Sequence, residues 1–152
     1  MEYYNQGDFM YGIILVGHGE FAKGLLSSVD MIMGKQEYLE AISFKVDDST
    51  EELSSKIESK IKDMKNLNGL IFLTDLVGGT PFNTCVLLSL ELENARVLGG
   101  TNLPLLFEIL MNRQLENIDD IINTSISTGR DSIISYIDKS KGVGNTIRRK
   151  GI

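Results

Sequence analysis

With 152 residues, one histidine, one cysteine and a net charge of −6 at a pI near 4.8, the chain has the balance of an acidic protein with a single core. That charge argues against nucleic acid as a main partner, because phosphate backbones are met by clustered Lys and Arg. A lone Cys85 and a lone His18 exclude an internal disulfide and leave no ligand set for a zinc site, so no metal and no cofactor is expected.

In chain order, Met1-Glu2-Tyr3-Tyr4-Asn5 opens with an early acid and no apolar h-region, so it does not read as a signal peptide, and a cytoplasmic location is expected. Tyr11-Gly12-Ile13-Ile14-Leu15-Val16 is apolar almost throughout, the mark of a strand buried on both faces. After Gly17-His18-Gly19, the residues Ala22, Leu25, Leu26, Val29, Ile32 and Met33 recur at helical spacing up to Gly34, a helix terminator. A second strand is predicted over 41–46. Ser49 with Glu52 then has the capping-box pattern, and Leu53, Ile57, Ile61 and Met64 supply one apolar stripe. The third strand, 69–74, belongs to the longest apolar run, yet Asn68, Gly69, Thr74 and Asp75 keep that run far from the roughly 20 residues that span a bilayer.

That strand ends at Asp75-Leu76-Val77-Gly78-Gly79-Thr80-Pro81, where Thr80 is the expected N-cap and Pro81 the first helical residue. A short fourth strand falls at 95–98, and Asn102 with Pro104 opens another helix. Ile118, Ile121, Ile122 and Ile126 mark a last helix, stopped by Gly129. The segment 133–137 reads as an edge strand or a helix, because periodicity alone does not decide. Lys139, Lys141, Arg148, Arg149 and Lys150 form a basic tail, read as solvated. One domain is taken as 11–138, with 1–10 and 139–152 as terminal extensions.

Strands alternating with helices imply right-handed crossovers and a doubly wound, mainly parallel α/β sheet. Ligands of such sheets bind beyond the carboxyl ends of the strands. Three loops meet there: Gly17-His18-Gly19, 75–81 and Gly99-Gly100-Thr101-Asn102. A lone histidine is more often structural than functional. His18 departs from that prior because it follows a buried strand, is flanked by two glycines that leave its ring accessible, and has an acid, Asp75, at the equivalent point after the third strand. Neutral imidazole attacks phosphorus through one nitrogen when an acceptor holds the proton of the other, and Asp75 is the natural acceptor. Gly78-Gly79-Thr80 has the make-up of an anion cradle at a helix N-terminus, although the same residues also make an ordinary strand-to-helix turn. No Walker A loop, no Gly-x-Gly-x-x-Gly after the first strand and no Gly-x-Ser-x-Gly elbow is present. Cys85 falls among Phe82, Val86 and Leu88 on a predicted helix and is assigned to the core. Arg130 is a candidate phosphate or partner contact, with a surface ion pair as its other explanation.

These residues carry a resemblance. Gly12-Ile-Ile-Leu-Val-Gly-His-Gly-Glu-Phe-Ala22, with a helix ending Met31-Ile-Met-Gly34, resembles the active-histidine segment of mannose-family enzyme IIA proteins of sugar phosphotransferase systems. Leu73-Thr-Asp-Leu-Val-Gly-Gly-Thr-Pro-Phe-Asn83 resembles that family's second signature, and Gly100-Thr-Asn-Leu-Pro-Leu-Leu-Phe-Glu108 and Thr128-Gly-Arg130 its later blocks. The resemblance implies a flavodoxin-like sheet with an antiparallel edge strand near the C-terminus, for which 133–137 is the candidate, and a homodimer. It implies that the phosphocarrier HPr donates a phosphoryl group to His18, at Nε2, and that a cognate enzyme IIB accepts it for sugar uptake by membrane IIC and IID subunits. Asp75 then matches the acid that orients the histidine, and Thr80 the Ser or Thr beside the phosphoryl group. Some members carry Thr where this chain has Gly17. The chain ends without a fused IIB domain, so a separate IIB is expected. Two alternatives are weighed: the phosphotransfer subunit of a dihydroxyacetone kinase, disfavoured because that group has Ser-His-Ser, and a non-catalytic IIA-like regulatory module, expected within a much longer chain.

Overall fold

The computed structural model describes residues 9–141. The described chain forms β1 (Tyr11–His18), α1 (Phe21–Met33), β2 (Leu39–Phe44), α2 (Thr50–Asp63), β3 (Gly69–Thr74), α3 (Thr80–Ser89), β4 (Ala95–Leu98), α4 (Leu103–Asn112), α5 (Ile118–Asp131) and a final 3-10 turn at Lys139–Lys141. The sheet has the order β2-β1-β3-β4, and all three pairings are parallel. From β1 the chain winds outward first to β2 and then, across the sheet, to β3, so the switch point lies between β1 and β3.

The strand patterns follow their burial. From Tyr11 to Gly17 every residue of β1 is buried, and only His18 emerges. One apolar layer holds Tyr11, Ile13 and Leu15 of β1 with Ala22 and Val29 of α1, Leu106 and Ile109 of α4, and Ile121 of α5. The other holds Ile14 and Val16 with Leu53 and Ile57 of α2 and Cys85 of α3. Ile32, read as part of the α1 core stripe, points into solvent. Phe9 and Met10 also join the packed body: Met10 is buried, and Phe9 meets Tyr11 edge to face at 5.3 Å. Residues 1–8 and 142–152, with most of the expected terminal extensions, lie outside the described residues.

Helix α2 has the expected capping box, with Glu52 N–H donating to Ser49 Oγ at 3.1 Å and Ser49 N–H to Glu52 Oε2 at 2.9 Å. Four boundaries differ from the sequence reading. β1 runs on to His18 because its pairing with β2 continues through Gly17–Ser43 and His18–Phe44. β2 lies two residues earlier than expected, because the Asp48 side chain accepts from Lys45 N–H at 2.8 Å and turns the chain there. The N-cap of α3 is Gly79, extended at φ −72°, ψ 167°, which makes Thr80 the first helical residue and Pro81 the second. Gly129 does not stop α5 but lies inside it, where a Cβ would come within 2.8 Å of Leu105 Cβ; it is a packing point between α4 and α5.

The segment 133–137 is neither strand nor helix, so among the described residues the sheet has no antiparallel edge strand. Ile133, Ile134 and Tyr136 are exposed, at 79%, 62% and 88%. Among the described residues the segment pairs with neither open edge of the sheet, the outer side of β2 or of β4, and no second layer covers its apolar side chains.

Candidate functional site

The parallel sheet delivers the carboxyl ends of its strands to one edge. His18 ends β1, Phe44 ends β2, and Asp75 follows the last residue of β3. Asp75 Oδ2 accepts from the His18 backbone N–H at 2.8 Å and lies 2.7 Å from His18 Nδ1. Its other oxygen, Oδ1, accepts from Leu76 N–H at 2.8 Å. The loop after β4 supports this acid from below: Gly100 N–H donates to Asp75 O at 2.8 Å, and Thr101 N–H to Thr74 O at 3.1 Å. Asp75 is partly withdrawn from solvent, at 12% side-chain exposure, whereas His18 is open at 45%.

Burial pushes the Asp75 carboxyl upward, but the hydrogen bonds from the His18 backbone, the His18 ring and Leu76 N–H outweigh it and hold the group below its ordinary value. Asp75 is therefore a carboxylate at neutral pH, and a carboxylate only accepts. The proton in the 2.7 Å contact consequently belongs to His18 Nδ1, so in the neutral ring Nε2 is the nitrogen that carries the lone pair. His18 Cε1, one bond from Nε2, lies 3.2 Å from where a Gly79 Cβ would stand, so the ring packs against the bare backbone at the start of α3.

Gly78 turns the chain into that helix at φ +80°, a conformation natural to glycine. Asn83 Nδ2 donates back to Gly78 O at 3.0 Å and Asn83 N–H to Gly79 O at 2.9 Å, which pins the turn. Among the described residues, neither the Thr80 and Phe82 backbone N–H groups nor the Thr80 hydroxyl has a hydrogen-bond partner. They are the donors a helix N-terminus offers to an anion. The turn also projects Leu76 and Val77 into solvent.

The structure brings His18, Asp75, Gly79 and Thr80 together. Arg130 lies in the last turn of α5, exposed and outside the hydrogen bonds of the pair. It shares the same end of the fold, since the neighbouring Gly129 O accepts from Asn102 Nδ2 at 2.9 Å, and Asn102 closes the loop after β4. Cys85 is buried in the second apolar layer, where burial pushes its thiol up to about 12; it forms no dyad with His18. Among the described residues no group of acids, His and Cys is arranged to hold a metal, and no helix is long and apolar enough to cross a membrane.

Three contributors escaped the sequence reading. Phe44 meets the His18 ring edge to face, with centroids 5.7 Å apart. Phe21 occupies the space beside Gly17, where a Cβ would meet its Cδ1 at 2.7 Å, so this chain has no room for a side chain directly before His18. Asn83 holds the turn. The register that pairs His18 with Phe44 has no signature in a single sequence; only the rule that parallel strands end at one edge points toward it.

A histidine and an aspartate joined at the switch point of a doubly wound parallel sheet, facing a helix N-terminus, stand where the ligands of such α/β folds bind. The chain belongs to the EIIA-man family: the model described as "PTS system fructose IIA component" matches residues 12–126. It is 32% identical over 114 residues to the "PTS system fructose-specific EIIA component" of Bacillus subtilis, covering 75% of this chain and 78% of that one. It is 31% identical over 122 residues to the "PTS system mannose-specific EIIAB component" of Escherichia coli, covering 80% of this chain but only 38% of that longer protein. The crystal structure of "phosphotransferase system component EIIA" from Streptococcus agalactiae superimposes with a TM-score of 0.76 at 36% identity, over 87% of this chain and 99% of that one.

Proposed function

We propose that this chain is the phosphoryl carrier of a sugar phosphotransferase system, that it works in the cytoplasm, and that its phosphotransfer domain spans 11–138. His18 Nε2 attacks the phosphorus of phospho-HPr. The bond from phosphorus to the HPr nitrogen breaks as the Nε2–phosphorus bond forms, while the Nδ1 proton stays on the ring, held by Asp75. The charge that builds on the imidazole is met by the Asp75 carboxylate, and the phosphoryl oxygens are met by the Thr80 hydroxyl and the amides that open α3, beside Gly78 and Gly79. A nucleophile of the cognate enzyme IIB then takes the phosphoryl group from Nε2, for use by the membrane IIC and IID subunits.

The observation that carries this reading is the 2.7 Å contact between His18 Nδ1 and Asp75 Oδ2, which suits the neutral tautomer with its proton on Nδ1, on a ring that is 45% exposed. The openness of the site suits a group that must be received from one protein and surrendered to another. Incubation with phosphoenolpyruvate, enzyme I and HPr is expected to give an acid-labile, base-stable phosphoprotein that loses its label when enzyme IIB is added. A label that is acid-stable, or that only leaves as inorganic phosphate, contradicts the proposal.

The protein acts as a homodimer, with the exposed side chains of Ile133, Ile134 and Tyr136 covered by a second copy. Sedimentation of the full chain is expected to give a dimer, and truncation before Ile133 a monomer. A monomeric full chain, or a truncated dimer, removes this part.

A further inference from the structure

We infer that Phe44 is a positioning residue for His18, holding the imidazole plane in the attitude that presents Nε2; this rests on the carrier reading above. A single hydrogen bond at Nδ1 holds one ring atom but does not stop the ring from tilting away, and a ring that tilts away loses that bond and with it the single tautomer. Asp75 alone therefore does not determine where Nε2 points. The missing restraint is steric. Gly79 bounds the ring at Cε1 with bare backbone, and Phe44 bounds it from the β2 side, edge to face, with centroids 5.7 Å apart and planes inclined at 69°. Both values fall in the range that aromatic pairs favour.

Phe44 is itself well fixed. It is the last residue of β2, in register with His18, and its side chain packs against the second apolar layer. Its carbonyl accepts from Gly19 N–H at 2.9 Å, so the same residue also anchors the backbone that leaves the histidine. Phe44 makes no bond with a transferred group. Its effect is on the fraction of time that Nε2 is aimed, and small losses of aim are felt in the rate of an in-line transfer.

The test compares full-length wild type with Phe44→Leu, which keeps apolar bulk but removes the ring, and Phe44→Tyr, which keeps the ring. Nitrogen-15 NMR of the His18 ring in unphosphorylated protein gives the tautomer and its averaging, and the remaining amide resonances report whether the fold is retained. Single-turnover transfer from phospho-HPr gives the rate at saturation and the half-saturating concentration separately. Phe44→Leu is expected to average the ring nitrogens and to lower the saturating rate about tenfold with half-saturation unchanged. Phe44→Tyr is expected to restore both within about twofold. Wild-type ring shifts and rate in Phe44→Leu, or a change confined to half-saturation, overturn the inference. Failure of the wild type to accept phosphate at all instead refutes the carrier reading, and the ring shifts still report whether Phe44 holds the imidazole.

Discussion

His18 and Asp75 meet twice on one oxygen: Oδ2 accepts from the His18 backbone N–H at 2.8 Å and contacts Nδ1 at 2.7 Å. The backbone contact seats the carboxylate regardless of what the ring does, and Leu76 N–H holds its second oxygen. The acid is thus preorganised, and the ring takes its orientation from it. Asp75→Asn keeps the shape but puts an amide where the carboxylate was, and a neutral amide stabilises imidazole charge poorly. Transfer from phospho-HPr is expected to slow by about 10²–10⁴-fold, as for loss of an orienting acid. Stopped-flow transfer measures it; unchanged kinetics reduce Asp75 to a structural cap.

Acidification probes the same group. The Asp75 carboxyl is held below its ordinary value of 3.8, so it contributes stability that is present above that value and is lost as pH falls through the lower, folded one. The wild type is therefore expected to lose this increment only below about pH 4, whereas Asp75→Asn lacks it throughout. Urea midpoints of the two proteins, compared from pH 7 to pH 3, should converge at the acid end. A gap that widens on acidification has the wrong sign.

Gly79→Ala separates chemistry from stability. The backbone there is extended, so alanine is tolerated, and Gly at an N-cap exceeds Ala by only a few tenths of a kcal/mol to about 1 kcal/mol. The new methyl, however, stands 3.2 Å from His18 Cε1 and 3.3 Å from Leu76 O. The ring is the part free to give way. Phosphotransfer is expected to fall about tenfold while the melting temperature moves by only a few degrees. Equal losses in folding and transfer would not fit.

Gly129→Ala has the opposite signature. Within a helix the exchange should favour alanine by about 1 kcal/mol. Here the Cβ would meet Leu105 Cβ at 2.8 Å and Asn102 Oδ1 at 3.0 Å, and Asn102 is the cap of α4. Overpacking costs about 1–3 kcal/mol, and a disturbed cap about 1 kcal/mol more. A net destabilisation of about 1–3 kcal/mol is expected, read as a lower urea midpoint at unchanged slope, with transfer by the folded protein retained. A stabilised variant would show that α4 and α5 have slack.

What could be read from the sequence follows from which forces are local. β1 and β3 are legible as apolar runs, and the Ser49–Glu52 capping box as a fixed spacing. The meeting of His18 and Asp75 was legible because topology alone brings the ends of β1 and β3 to one edge. Less legible were features set by packing between distant segments. Gly129 looked like a stop because glycine ends helices, yet here the absence of a Cβ serves Leu105. Phe44 looked like an ordinary strand residue until the β1–β2 register placed it against His18. The segment 133–137 has strand-like composition, but a strand exists only when paired, and among the described residues the segment pairs with neither open edge of the sheet.

The central claim is that His18 carries the phosphoryl group in transit. Its most direct test is His18→Gln incubated with phosphoenolpyruvate, enzyme I and HPr beside the wild type. Gln keeps a polar group against Asp75 at this exposed position, so the fold is expected to persist. The wild type should take up an acid-labile phosphoryl group, and His18→Gln none; a His18→Gln protein labelled to the wild-type level would contradict the account.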